Sequence, residues 1–257
     1  MNIILSFVLA LALLGPEGIP APQAIAGESG AMVTSGGGNA QRWTGGWTME
    51  PARENGRPAV HFTEEGKGQY SGFTGQISWA ADALWSADGP LKPLRSEKTF
   101  KDSSGKVIGK ERMTFDPSKG SVKYERERDG RVVESKQMTV PADTLAPEGI
   151  AGILRFLPFD HWHNQTVHIL SNEPKLYNIK LEMRGREMVK TPAGEFECFK
   201  IELVPQLGAL NLVRSFLPKE YFWFSVEPSH FWVKYEGLEE GLGTPQIMME
   251  LRTYQPN

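Results

Sequence analysis

The stretch Leu91–Val140, LKPLRSEKTFKDSSGKVIGKERMTFDPSKGSVKYERERDGRVVESKQMTV, decides how this chain folds. Three turn signals cut it into four strand-like runs: Asp102-Ser103-Ser104-Gly105, Asp116-Pro117-Ser118-Lys119-Gly120 and the two-residue Asp129-Gly130. Asp-Gly suits a type I′ turn, whose two central residues both need positive φ. Runs joined this tightly pair antiparallel, so the stretch reads as a meander. Its charge is unusual, with 13 Lys/Arg and 8 Asp/Glu between Lys92 and Lys136. In Ser121–Arg128, SVKYERER, Val122 and Tyr124 share a face that Arg126 and Arg128 continue. Such strands are expected to run past the core, or to face water on both sides at one end. Interleaved acids lower the local potential and argue against a nucleic-acid surface.

The same grammar extends in both directions. Downstream, Tyr177, Ile179, Leu181 and Met183 alternate with Asn178, Lys180, Glu182 and Arg184, the period of a half-buried strand. Thr191-Pro192-Ala193-Gly194 turns the chain into Glu195–Val204, and two aromatic strands follow, Tyr221–Phe224 and Phe231–Tyr235. Ile247, Met249 and Leu251 mark a last strand. Between the halves, Ile150, Ile153, Leu154 and Leu157 follow i, i+3, i+4, i+7 and predict one helix over residues 146–157. Asp143 or Thr144 can cap it, Pro147 suits its first turn and Pro158 stops it. About eleven strands and one packed helix make a mainly β, antiparallel fold without an internal linker. Residues 47–257 are expected to form a single domain, and the Gly/Ser/Ala-rich 27–46 a flexible lead-in.

The N-terminus reads as a targeting segment. Ile3–Leu14, IILSFVLALALL, would span about 18 Å as a helix, short of the ~30 Å of a hydrocarbon core. Ala24-Ile25-Ala26 then supplies a small-x-small cleavage site, although no Lys or Arg precedes the apolar run. Residues 1–26 are therefore expected to be a cleaved signal peptide, leaving a periplasmic or otherwise exported chain without a transmembrane span. Cys198 is the only cysteine, so no lipobox and no internal disulfide are available. Set between Phe196 and Phe199, it reads as a buried, inert thiol.

A chain of 257 residues with 40% hydrophobic and 23% charged residues is an ordinary globular composition, not a collagen, a coiled coil or a disordered chain. Its net charge of −3 gives no reason to expect nucleic acid. The search for chemistry is mostly negative: there is no G-x-S-x-G, H-E-x-x-H or C-x-x-C, and no cofactor motif. Gly105–Lys110 resembles a phosphate loop, but it is one residue short between the glycines and Glu111 stands at the magnesium position. His161, His163 and His168 come nearest to a metal set, with turn or surface histidines as the plainer reading. The adjacent pairs Glu64-Glu65 and Glu239-Glu240 diverge and read as solvated charges.

The order of features resembles the bacterial family called domain of unknown function 3108. Carrying the resemblance are Met138–Thr144 leading into the helix, Gly185-Arg186-Glu187 followed by Thr191–Phe196, and the strands from Tyr221 to Gly237. The match covers roughly residues 45 to 255. The resemblance implies an exported, β-rich protein with an open or incomplete barrel like the periplasmic lipoprotein carriers. The family brings no agreed activity and no catalytic residues.

What remains is aromatic surface. Trp79, Trp85, Trp223 and Trp232, with Tyr177, Ile179 and Leu181, are the candidates to line a barrel holding a lipid or another apolar molecule; a filled core is the plainer alternative. Leu207–Leu217, LGALNLVRSFL, is too apolar for a plain loop and departs from the family pattern. Leu210, Leu212, Val213, Phe216 and Leu217 are its candidates for a lid or a docking element toward an envelope partner. A non-enzymatic binding module is the expected function, with a structural or assembly factor acting through its sheet surface as the alternative. Cleavage at the Ala-x-Ala site has a direct check: N-terminal sequencing of the envelope form should begin at Gly27, and a chain still starting at Met1 would refute it.

Overall fold

A computed structural model describes residues 18–22, 26–206, 208 and 217–256. The described residues form fifteen strands. Eight come first: β1 (Glu28–Ser35), β2 (Gln41–Glu54), β3 (Arg57–Gln69), β4 (Gln76–Ser86), β5 (Lys92–Lys101), β6 (Val107–Asp116), β7 (Ser121–Arg128) and β8 (Arg131–Thr139). After them come β9 (Thr144–Leu145), the short helix α1 (Ile150–Leu154), β10 (Gln165–Leu170), β11 (Leu176–Thr191) and β12 (Gly194–Pro205). β13 (Glu220–Ser225), β14 (Trp232–Leu238) and β15 (Gln246–Pro256) complete the set. All belong to one sheet, ordered β8-β7-β6-β5-β4-β3-β2-β1-β15-β14-β13-β12-β11-β10-β9. The chain thus winds outward from β1 to one edge, crosses to the other, and winds back until β15 pairs with β1. Only the two-residue β9 pairs parallel, with β10.

The turn chemistry of the meander holds. Asp129 and Gly130 both have positive φ, 48° and 75°, as the type I′ reading requires. Asp102 and Asp116 each accept backbone N–H bonds inside their own turns, from Ser104 and Lys106 and from Ser118 and Lys119.

Three expectations are corrected. Residues 27–46 are not a flexible lead-in: they form β1 and open β2, at the centre of the sheet. The predicted helix over 146–157 shrinks to Ile150–Leu154, because Thr144 and Leu145 are taken by β10 and Gly149 turns left-handed at φ 77°. Neither Asp143 nor Thr144 caps it. Solvated strands are the third: Lys98, Glu111, Arg126 and Arg128 lie on the face that also carries Phe100, Met113 and Tyr124, and Glu111 is 7% exposed.

Helix α1 belongs to a strap that runs along the inner face of the rolled sheet. Glu148 accepts a 2.7 Å hydrogen bond from Ser96 Oγ on β5. A Cβ at Gly149 would stand 3.2 Å from Phe62 and Trp85, and one at Gly152 only 2.5 Å from the Phe62 ring. At the strap's far end, Arg155 is paired with Glu28 of β1 and donates to the Ser229 carbonyl at 2.9 Å, and Tyr254 Oη of β15 donates to Glu28 at 2.6 Å. Burial pushes the Arg155 guanidinium down to about 10, so it stays charged at neutral pH.

Within the expected leader, Ile19 is fully buried and its carbonyl accepts the Leu91 N–H at 2.8 Å. Cleavage after Ala26 would vacate that seat. Among the described residues no helix is long and apolar enough to cross a membrane.

Close packing at Gly152 makes a counter-intuitive prediction. Alanine is the better helix former by about 1 kcal/mol. Gly152→Ala should nevertheless destabilise by about 1–3 kcal/mol, because its methyl overlaps Phe62. A urea midpoint at or above that of the wild type would show that the strap is not seated this tightly.

Candidate functional site

Directly opposed residues of neighbouring strands share a face, so the register alone places one row across the inside of the sheet. The row runs Trp47, Glu64, Ala81, Lys98, Glu111, Arg126, Glu134 from β2 to β8. Five of its seven members are ionisable. At the β6–β7 end, Glu111 accepts from Arg126 Nε at 3.2 Å and from Arg128 Nη2 at 3.0 Å, which balances the charge there.

The middle of the row is less evenly matched. Lys98 Nζ donates to Tyr70 Oη and lies 3.2 Å from Glu240 Oε1, to which Tyr70 also donates at 2.6 Å. Burial works against the Lys98 charge, yet Tyr70, Glu240 and Glu148 outweigh it and hold its pKa above the ordinary range. Burial likewise keeps the Tyr70 phenol protonated. Glu148 is raised by burial, with Lys98 and the Ser96 hydroxyl opposing.

Glu64 has no hydrogen-bond partner among the described residues. Burial pushes it up to about 7, Lys98 opposes that shift, and Glu148 adds to it. Although protein surrounds the cluster, Glu64 is only half-buried, and the Lys98 and Glu240 side chains keep 11% and 22% of their surface accessible. Solvent therefore reaches these groups. Buried aromatic rings form a wall beside them: Tyr70 lies 4.6 Å from Trp79 and 5.6 Å from Phe100, and Trp79 meets Trp43 edge-on at 4.8 Å. The β14–β15 loop ties down this wall, since Glu239 accepts from Arg42, the Trp43 indole at 3.1 Å and the Ser71 N–H at 2.8 Å.

The sequence-derived candidates distribute unevenly. Trp79 belongs to this wall. Trp85 is fully buried beneath Gly149, and Trp232 packs on Phe222 at 6.3 Å. Trp223 sits across the sheet from Phe222 and Phe224, between Lys200 and Lys234, and donates to Glu187 at 2.7 Å. Ile179 and Leu181 are buried on β11, whereas Tyr177 at its start is 38% exposed. Thus the seven do not form one cluster. Of the lid candidates, Leu217 is half-buried, while Leu210, Leu212, Val213 and Phe216 lie outside the described residues.

His161 and His163 are exposed, on a single 3-10 turn and the loop after it, and His168 lies 2.9 Å from Asp143. Among the described residues no three His, Cys, Asp or Glu are grouped to hold a metal. Cys198 is buried, and burial pushes its thiol up to about 12.

Glu64, Glu148, Tyr70, Lys98 and Glu240 escaped the sequence reading, and the expectation that Glu64 and Glu239-Glu240 are solvated is corrected. A signal was present: Glu64 stands between Phe62 and Gly66, and Lys98 between Ser96 and Phe100, on the inward phase of alternating strands. An open cavity of about 580 Å³ over β1–β5 is lined by Thr48, Thr63 and Thr99, by Glu65, Asp82 and Glu97, and also by Glu64.

A single rolled antiparallel sheet around an internal strap is the architecture of an incomplete, β-barrel-like protein. The chain belongs to the DUF3108 family, described as proteins of unknown function, whose profile matches residues 32–252. Among solved structures it is similar to a β-barrel-like protein of the DUF1849 family from Brucella abortus. That similarity has 7% identity and a TM-score of 0.53 over 91% of this chain and 98% of that one. A candidate exported protein with a YmcC-like fold from Bacteroides fragilis matches at 11% identity and a TM-score of 0.33, over 94% and 100% of the two chains. No curated protein matches the chain significantly.

The sign of the Glu64 shift yields a stability test. A carboxyl whose folded pKa exceeds its unfolded value costs nothing below about 4.5 and progressively destabilises as pH rises through about 7. Glu64→Gln removes that cost. The variant should match the wild type near pH 4.5 and gain about 2–3 kcal/mol at pH 8, read from urea melts at both pH values. An equal difference at the two would show that the carboxyl is not held up in the folded state.

Proposed function

We propose that this chain is a non-enzymatic binding protein of the cell envelope, exported on its N-terminal leader, that holds a lipid-like amphipathic molecule inside the incomplete barrel. The ligand's apolar body lies against the Trp43, Tyr70, Trp79 and Phe100 wall, and a hydrogen-bond donor or cationic group meets Glu64. One observation carries this reading: Glu64 stands on the inner face with no hydrogen-bond partner among the described residues, pushed up to about 7 by burial. An enclosed carboxyl left unpaired lowers stability, and such groups concentrate where a ligand completes the pairing.

The same chemistry argues against catalysis at this cluster. Lys98 is held charged and Tyr70 protonated, so neither is prepared as a nucleophile or a base at neutral pH. Their bonds to Glu240 and the loop that carries it serve to hold the wall in place.

Native mass spectrometry of protein purified from its own envelope tests the proposal. The wild type should carry a non-covalent adduct whose extract contains an acyl or other apolar chain with an amine or another donor group. Glu64→Gln should lower occupancy about 10-fold, the loss expected for one charge-assisted bond. Bare protein in both preparations overturns the reading.

A further inference from the structure

Every neighbouring pair in the strand order is held by a ladder, but among the described strands none joins β8 to the opposite edge. There β9 tucks inside the roll against β5, and the loop between β10 and β11, residues 171–175, meets β7 and β8. Three side chains hold that seam. Tyr124 Oη and Arg126 Nη2 both donate to the Asn172 carbonyl, at 2.7 and 2.9 Å, and Lys136 Nζ donates to the Pro174 carbonyl at 3.3 Å. Asn172 Nδ2 lies 3.5 Å from Glu240 Oε1, while its Oδ1 is buried with no hydrogen-bond partner. The outer edge is not shaped for another strand to seal it: Arg126 pairs with Glu134 and Glu127 with Val132, so Val133 bulges out of β8.

We propose that this seam is the portal by which the amphipathic ligand enters the rolled sheet, with Asn172 as its latch; the proposal rests on the binding reading above. Three side-chain bonds to two carbonyls are fewer than the ladders of β1 to β8 supply, so the roll opens here at least cost. The loop can swing without unpairing its strands, because the Ser171 N–H donates to the Lys175 carbonyl at 3.0 Å and Leu170 pairs with Leu176 just beneath. The seam also leads to the site. From Glu134 and Arg126 the inner row runs through Glu111, Lys98 and Ala81 to Glu64, so an incoming amine meets carboxylates before it reaches Glu64. Val132 and Val133, 60% and 57% exposed at the lip, offer the apolar chain a first contact. Glu240, which Asn172 touches, also holds Lys98 and Tyr70, so the latch and the aromatic wall are linked.

Stopped-flow uptake and release of a long-chain alkylamine carrying an environment-sensitive fluorophore test this on the full exported chain. Lys136→Cys with Lys175→Cys places two thiols at exposed positions across the seam, and a short bis-maleimide joins them after folding. Cys198 is buried and does not compete. Joined before the probe is added, the protein should take it up at least about 10-fold more slowly than the same variant left open. Joined after loading, it should release the probe more slowly by a similar factor, an effect that damage to the site would not produce. Tyr124→Phe with Lys136→Ala removes two of the latch bonds without touching the proposed site, and should speed both rates by about 10-fold. Circular dichroism checks that each variant folds. Uptake or release unchanged by the cross-link, or rates indifferent to the latch variant, overturns the portal and leaves the binding reading in place. A wild type that takes up no probe overturns the binding reading and the portal with it.

Discussion

Four residues, Val140–Asp143, join one edge of the sheet to the other. Laid flat, fifteen strands at about 4.8 Å would hold the two edges roughly 65–70 Å apart. The link from Thr139 to Thr144 reaches about 18 Å at full extension. The sheet therefore has to roll until β8 and β9 nearly meet, and the rest of the architecture follows from that closure. The gap is bridged by side chains and not by a backbone ladder: Tyr124 and Arg126 donate to the Asn172 carbonyl at 2.7 and 2.9 Å, and Lys136 to that of Pro174. A sheet rolled this way keeps an interior, and the chain fills part of it with the strap that the crossing itself creates.

The strap explains why the interior is polar where it is. It lies over Phe62, Ala83 and Trp85 and seals that side with Ile153 and Leu154, both fully buried. On the other side the inner row carries Glu64, Lys98 and Glu111, with loops supplying Tyr70 and Glu240. Buried charges persist where partners compensate them, and here the compensation is graded. Glu111 has two arginines, Lys98 has Tyr70 and Glu240, Glu148 has a hydroxyl, and Glu64 has the nearby Lys98 charge but no hydrogen bond among the described residues. The least compensated group, Glu64, is also only half-buried.

Local chemistry determined much of this protein from the sequence alone. Asp-Gly and the Asp-Ser turns force hairpins because few backbones satisfy their positive φ and their own side-chain bonds. Two-residue alternation fixed which residues of β11 and β15 face inward. Family membership was legible from Met138–Thr144 and from the turn at Thr191–Glu195, which are packing and turn signals.

Tertiary structure decided the rest, because it depends on groups far apart in sequence. The predicted helix survives only over Ile150–Leu154: Gly149 turns left-handed and Thr144 and Leu145 pair with β10, so no helix forms before Ile150. Residues 28–35, inside the Gly/Ser/Ala-rich 27–46, became a central strand because β15, more than two hundred residues later, pairs with it. Arg126 and Glu111 could enter the core only because the register sets them opposite each other, and no local pattern announces a partner fifteen residues away across a turn. Glu239 and Glu240 look like any surface pair until the rolled sheet brings Arg42, Tyr70 and Lys98 to them. Propensity and periodicity are read over a few residues, whereas a charge's environment is set by whichever strands closure makes its neighbours.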